Sequence, residues 1–168
     1  MENSKVLNKP ETVIEPDALF HHWQGHRDLT RRTIEVFPEK ELFEFSIGGM
    51  RPFAELAMEM IIMAGPTIKG LATGEWKKWE ESESEQPVPK TKQDLLSLWD
   101  KTTELLSEYW PKIPLRRFQE IDKAFGQWEG PGYWILFYII DNEIHHRGQG
   151  YVYLRALGIE PPAFWDRK

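Results

Sequence analysis

Apolar side chains return at helical spacing from Pro16 onward. Leu19, Phe20, Trp23, Thr30, Ile34 and Phe37 share one side of a first helix, which Pro38 stops. Pro16 suits the first turn, where its missing N–H is no loss. Residues 42–50 alternate only weakly and end in Gly48-Gly49, a joint before Arg51-Pro52 opens a second helix. The pattern predicts that helix from Phe53 to about Gly65, where Pro66 kinks or ends it, with one further turn to Lys69 as the extension. Thr91 and Asp94 have the spacing of a capping box ahead of Leu95, Leu96, Leu98, Trp99, Leu105, Leu106 and Tyr109, a third helix that Pro111 closes. Pro131 opens the fourth and longest pattern, for which Gly158 is a natural C-cap. Gly148 and Gly150 weaken this helix, which points to close packing by a neighbour.

Between these patterns the chain is polar or broken. Residues 1–14 lack periodicity and read as an arm; residues 15–168 read as one all-α domain with a four-helix core and one buried polar cluster. Residues 75–90 carry five glutamates around Trp76 and Trp79, which suggests a short helix and a solvated linker without a catalytic role. Residues 111–130 form a long connection between the third and fourth helices, with Phe118, Ile121 and Phe125 hinting at one or two turns.

Composition narrows the chemistry. The 168 residues contain no cysteine, so thiolate zinc sites, iron–sulfur clusters and cysteine nucleophiles are excluded. A net charge of −6 opposes broad nucleic-acid binding. No apolar run of about 18 residues and no signal-peptide pattern occur, so the expectation is a cytoplasmic protein without a membrane segment. Glycine-rich phosphate loops, G-x-S-x-G and H-E-x-x-H are also missing.

Polar groups enter the predicted core at two places. Glu59 is the one charged residue between Leu56 and Ala64 and shares a stripe with Leu56, Met60 and Met63; a carboxylate there must be paired, protonated or metal-bound. On the fourth helix Asn142, His146, Gln149 and Tyr153 fall on one face. The i, i+4 pair Asn142 and His146 has the spacing that lets two side chains converge on one ion, although such a polar face is more often a hydrogen-bonded network. His22 and His26 make a competing i, i+4 pair on the first helix.

The stretch Asn142-Glu143-Ile144-His145-His146-Arg147-Gly148-Gln149, continuing through Tyr153-Leu154-Arg155 and Gly158, resembles the last helix of the DinB-like four-helix bundles. Phe125-Gly126, Trp128, Gly130-Pro131 and the Phe53-Ala54-Glu55-Leu56 opening extend the resemblance. It implies a bundle with a long connection between helices three and four, frequent homodimers, and a divalent metal held by three histidines. Characterised relatives include thiol S-transferases. Carried over by position, one metal ligand is His146, while the other two fall on Asn142 and Glu59.

Two functions follow. In the first, a divalent ion (Zn, Ni, Mn or Fe) on Glu59, Asn142 and His146 activates a small-molecule thiol or water in a transferase or hydrolase, with His145, Tyr153 and His26 as acid–base candidates. In the second, the bundle is metal-free and non-catalytic. Glu59 then accepts a hydrogen bond from His146, Asn142 completes the network, and Trp23 and Trp134 help line a small-molecule pocket. The exposed parts of the first and fourth helices are the first candidates for a homodimer interface.

Overall fold

A computed structural model describes residues 13–167. Most of the predicted arm lies outside them. Four long helices carry the architecture: α1 (Pro16–Val36), α3 (Phe53–Thr73), α5 (Lys92–Tyr109) and α6 (Gly132–Ala156). Short helices α2 (Glu39–Glu44) and α4 (Trp79–Ser84) sit in the first two connections. α1 and α3 each pack on both α5 and α6. The four helices therefore form a ring in which α6 has one seam with α1 and another with α3.

The ends of these helices follow local chemistry. The Thr91 hydroxyl accepts from the Asp94 amide at 3.1 Å and the Asp94 carboxylate accepts from the Thr91 amide at 3.0 Å, the predicted capping box. α3 runs on through Pro66 to Thr73, two turns beyond the predicted stop near Gly65. Proline forfeits one backbone bond, but the apolar stripe continues past it with Ile68 and Leu71, both fully buried, and that burial holds the extra turns. Gly74, at φ 83°, caps the helix in the left-handed region. Arg117 closes the same end from outside: its guanidinium donates to the carbonyls of Leu71 at 3.1 Å and Gly70 at 3.0 Å.

The long connection holds more order than its breakers predict. After two 3₁₀ turns, β1 (Ile121–Ala124) and β2 (Trp128–Pro131) form an antiparallel hairpin, with Ala124 opposite Trp128. Phe125 and Gly126 turn the chain at φ 53° and 71°. At the far end, a Cβ on Gly132 would lie 2.2 Å from the Arg117 carbonyl, so only glycine lets α6 start against this connection.

The apolar core comes in two parts along the bundle axis. One gathers Ile34, Phe37, Phe53, Leu56, Trp99, Tyr153 and Leu154; the other gathers Trp23, Met63, Ile68, Leu106, Leu136 and Ile140. Between them, at mid-height, lies a belt of polar side chains on α1 and α6.

Candidate functional site

The polar belt divides into two clusters on opposite sides of α6. Residues 142 and 146 face the α3 seam, and residues 143 and 147, one step of about 100° further round, face the α1 seam.

On the α3 side, Glu59 is the hub. Its Oε1 accepts from Asn142 Nδ2 at 3.0 Å and lies 3.0 Å from His146 Nε2, while Oε2 pairs with the Arg51 guanidinium. His146 Nδ1 faces Gln149 Oε1 at 3.0 Å. These donors, His146 foremost, hold the Glu59 carboxyl down at about 2, against the opposing pull of partial burial. The structure thus brings together Glu59, Asn142 and His146, the three residues proposed as metal ligands. It also adds a cation, Arg51, that the sequence pattern did not single out.

Glu59 and Arg51 are the members of this network that line open space. A cleft of about 400 Å³ lies over it, walled by Arg51, Met58, Ile62, Trp79 and the 86–89 linker. A second hollow of about 270 Å³ adjoins it through Glu59 and Trp79 and is closed by Trp128 and Tyr138. Trp79 and Trp128 both pack edge-on against Phe125, at centroid distances of 5.6 and 5.8 Å, so the hairpin turn anchors both aromatic walls. The short helix expected in the 75–90 segment is α4, and the linker after it, expected to be solvated, supplies one side of this cleft because Trp79 draws α4 onto the bundle.

The acid–base candidates scatter. Tyr153 is fully buried and donates to the Arg51 carbonyl at 2.9 Å, so it supports Arg51 without reaching the cleft. His145 is exposed, with Gln149 Nε2 donating to its Nε2 at 3.1 Å. His26 belongs to the other cluster. Nor do the two tryptophans named from the sequence line the cleft: Trp23 is sealed in the core, and Trp134 lies on the outer surface against Gly130.

The α1 side holds a second buried polar cluster, although the sequence pattern predicts a single one for the whole domain. The Glu143 carboxylate accepts from Thr30 Oγ1 at 2.7 Å and Trp23 Nε1 at 3.2 Å, and lies 3.7 Å from Arg27 and 4.0 Å from Arg147. Arg27 is wholly buried. It stacks 3.4 Å over the Trp99 ring and donates to Trp99 O and Thr103 Oγ1 on α5. Burial lowers its guanidinium to about 10, still cationic at neutral pH. Arg147 donates to Thr30 Oγ1 at 3.1 Å and to His26 Nδ1 at 3.0 Å. His26 Nε2 lies 3.1 Å from His22 Nε2 and 3.0 Å from an Arg167 guanidinium nitrogen, so arginines face both ring nitrogens. Burial, then Arg147, then His22 and Arg167 push His26 down to about 3, so it is neutral. The signal for this cluster was present: Arg27 stands on the stripe of Trp23, Thr30 and Ile34, and Glu143 and Arg147 are spaced i, i+4.

The donor set on the α3 side can be tested against a divalent ion. Asn142 turns its amide nitrogen, not its oxygen, toward Glu59, and Arg51 already places a cation on the same carboxylate. Among the described residues no group of three His, Cys, Asp or Glu side chains is gathered as ligands. As arranged, the residues fit an ion-pair network and do not fit a metal.

The described helices include none long and apolar enough to cross a membrane. A model of the DinB family matches residues 4–167. Among solved structures, a DinB-like protein from Bacillus subtilis superposes with a TM-score of 0.70 at 19% identity, covering 87% of this chain and 96% of its own. A DinB-like protein from Bacillus cereus gives 0.64 at 20% identity, covering 88% and 95%. At these identities the likeness bears on the fold. No curated protein matches the chain.

Proposed function

The chain belongs to the DinB family, and from that premise we propose that it is a metal-free, non-catalytic member that binds a small molecule in the cleft over Glu59. One observation carries this reading. The carboxylate that would have to ligate an ion is already engaged by His146, Asn142 and Arg51. A guanidinium beside it repels a second cation and does the electrostatic work an ion would do.

The walls suggest the ligand. Trp79, Trp128, Met58 and Ile62 favour an apolar or aromatic body, and Arg51 with Glu59 favours one polar end. A metal-dependent transferase or hydrolase is the competing reading, and one observation favours it: Asn142 Oδ1 is buried without a partner. Turning that amide would aim the oxygen at an ion, provided Arg51 let go.

Elemental analysis of untagged protein, followed by zinc and nickel titration, separates the two. We expect no stoichiometric metal and no uptake, together with a thermal shift from aromatic acids or amines that Trp79→Ala abolishes. About one transition metal per chain, lost in Glu59→Ala, overturns the proposal and directs attention to low-molecular-weight thiols.

A further inference from the structure

The cleft and the hollow that meet at Glu59 and Trp79 differ in their linings. The cleft of about 400 Å³ carries Arg51 beside Glu59. The hollow of about 270 Å³ is lined by Glu59, Met63, Trp79, Gln127, Trp128 and Tyr138, so its one charged group is a carboxylate and half of its lining residues are aromatic. The Trp79 and Trp128 rings stand 6.4 Å apart with their planes at 85° and form a corner, to which Tyr138 on α6 adds a third wall. Trp128 is 40% and Tyr138 49% exposed, so the bundle's own core does not use either ring fully.

Electron-rich ring faces beside a carboxylate attract one class of ligand above others, a cation whose own hydration is weak. Ammonium groups carrying methyl substituents meet that description, because their charge is spread over carbon and they give up little water on entering an apolar hollow. The charges at the entrance have the matching sign. Glu55 and Glu83 line the cleft without an ion-pair partner among the described residues, while Arg51 is matched by Glu59. Three carboxylates against one guanidinium raise the local concentration of cations and lower that of anions.

We propose that the ligand is an organic ammonium ion, an inference that rests on the small-molecule reading of the cleft. Its methylated head occupies the hollow between Trp79, Trp128 and Tyr138 beside Glu59, and its apolar body runs along Met58 and Ile62. The arrangement that disfavours a metal accepts such a cation. A divalent ion needs carboxylate lone pairs at bonding distance, and those of Glu59 are engaged by His146, Asn142 and Arg51. A methylated ammonium needs only ring faces and a nearby negative charge, and Arg51 does not line the hollow.

Tryptophan fluorescence and isothermal titration of the full chain test this with four probes. Benzyltrimethylammonium is expected to bind at least about tenfold more tightly than phenylacetate, and choline about fivefold more tightly than dimethylbutanol, its uncharged isostere. Trp128→Leu and Tyr138→Leu are each expected to weaken benzyltrimethylammonium by about tenfold with the circular dichroism spectrum unchanged, and Trp128→Phe to retain most of the affinity. Tyr138 is half exposed on a long helix, so its substitution keeps the test valid even where a change at Trp128 disturbs the hairpin. Phenylacetate or dimethylbutanol binding as tightly as its cationic counterpart overturns the inference and leaves the cleft as a small-molecule site. Ammonium binding that neither leucine substitution weakens also overturns it. So does failure of all four probes to bind; the wider reading is then decided separately, by whether the protein takes up a transition metal.

Discussion

Asn142 and Glu143 are chain neighbours, as are His146 and Arg147, yet each pair is split between two environments. On the α1 side Glu143, Arg147 and Arg27 are each less than 7% exposed, and apart from the Glu143–Arg147 pair within α6 their hydrogen bonds run to other helices. On the α3 side Glu59 is 20% exposed and borders a cleft. One turn of α6 therefore carries both an internal lock and an open site. The lock holds two guanidinium groups against one carboxylate with a neutral imidazole, a net buried positive charge that depends on Glu143. The site centres on a carboxylate that is itself partly solvated and shares its charge with a half-exposed Arg51, where each contact matters less.

Removing Glu143 gives the largest expected contrast. Glu143→Leu leaves Arg27 and Arg147 buried without a counter-charge, and we expect a loss of about 3–5 kcal/mol in urea denaturation, possible only if this cluster is structural. A loss under about 1 kcal/mol would mean that water relieves the cluster and would erase its difference from the open side.

Acid sharpens the comparison next, because the two sides fail in different windows. His26 titrates near 6.5 when unfolded and at about 3 when folded, so between those values the unfolded chain holds the extra proton and stability falls as the pH drops. Glu59, at about 2 folded against 4.5 unfolded, contributes stability that is present above 4.5 and lost below it. Urea midpoints measured from pH 7 to 5 are expected to decline in the wild type and to decline less in His26→Gln. Equal slopes for the two proteins would show that His26 takes up its proton in the fold.

The smallest effect belongs to the open side. Glu59→Gln keeps one acceptor but loses the charge, and we expect about 1 kcal/mol of destabilisation, with any ligand-induced thermal shift reduced more than stability. A cost as large as that of Glu143→Leu would place Glu59 in the lock.

The sequence revealed the α3 side better than the α1 side for a physical reason. A lone glutamate among Leu56, Met60 and Met63 violates an apolar pattern, and an i, i+4 polar pair opposite it suggests a meeting point. Arg27 breaks its own stripe no less, but an arginine on an amphipathic helix ordinarily snorkels to water, so its complete burial becomes plain only with Trp99 beneath it and Glu143 across from it. The cleft walls were harder still. Trp79 and Trp128 are brought together by a hairpin whose strands have four residues each, too short for an alternating pattern to stand out. The continuation of α3 past Pro66 depends on burial of Ile68 and Leu71, which a proline-based stop does not anticipate.

Arg117 gives that last turn of α3 a dynamic consequence. Pro66 removes one rung of the helix's hydrogen-bond ladder, and the carbonyls of Gly70 and Leu71 are held by a side chain some forty-six positions later in sequence. The two turns after Pro66 therefore open and close with the 111–131 connection rather than with the rest of their own helix. In hydrogen–deuterium exchange, amides 67–73 should lose protection together with those of the hairpin, while amides 57–63 stay protected to the level of global unfolding.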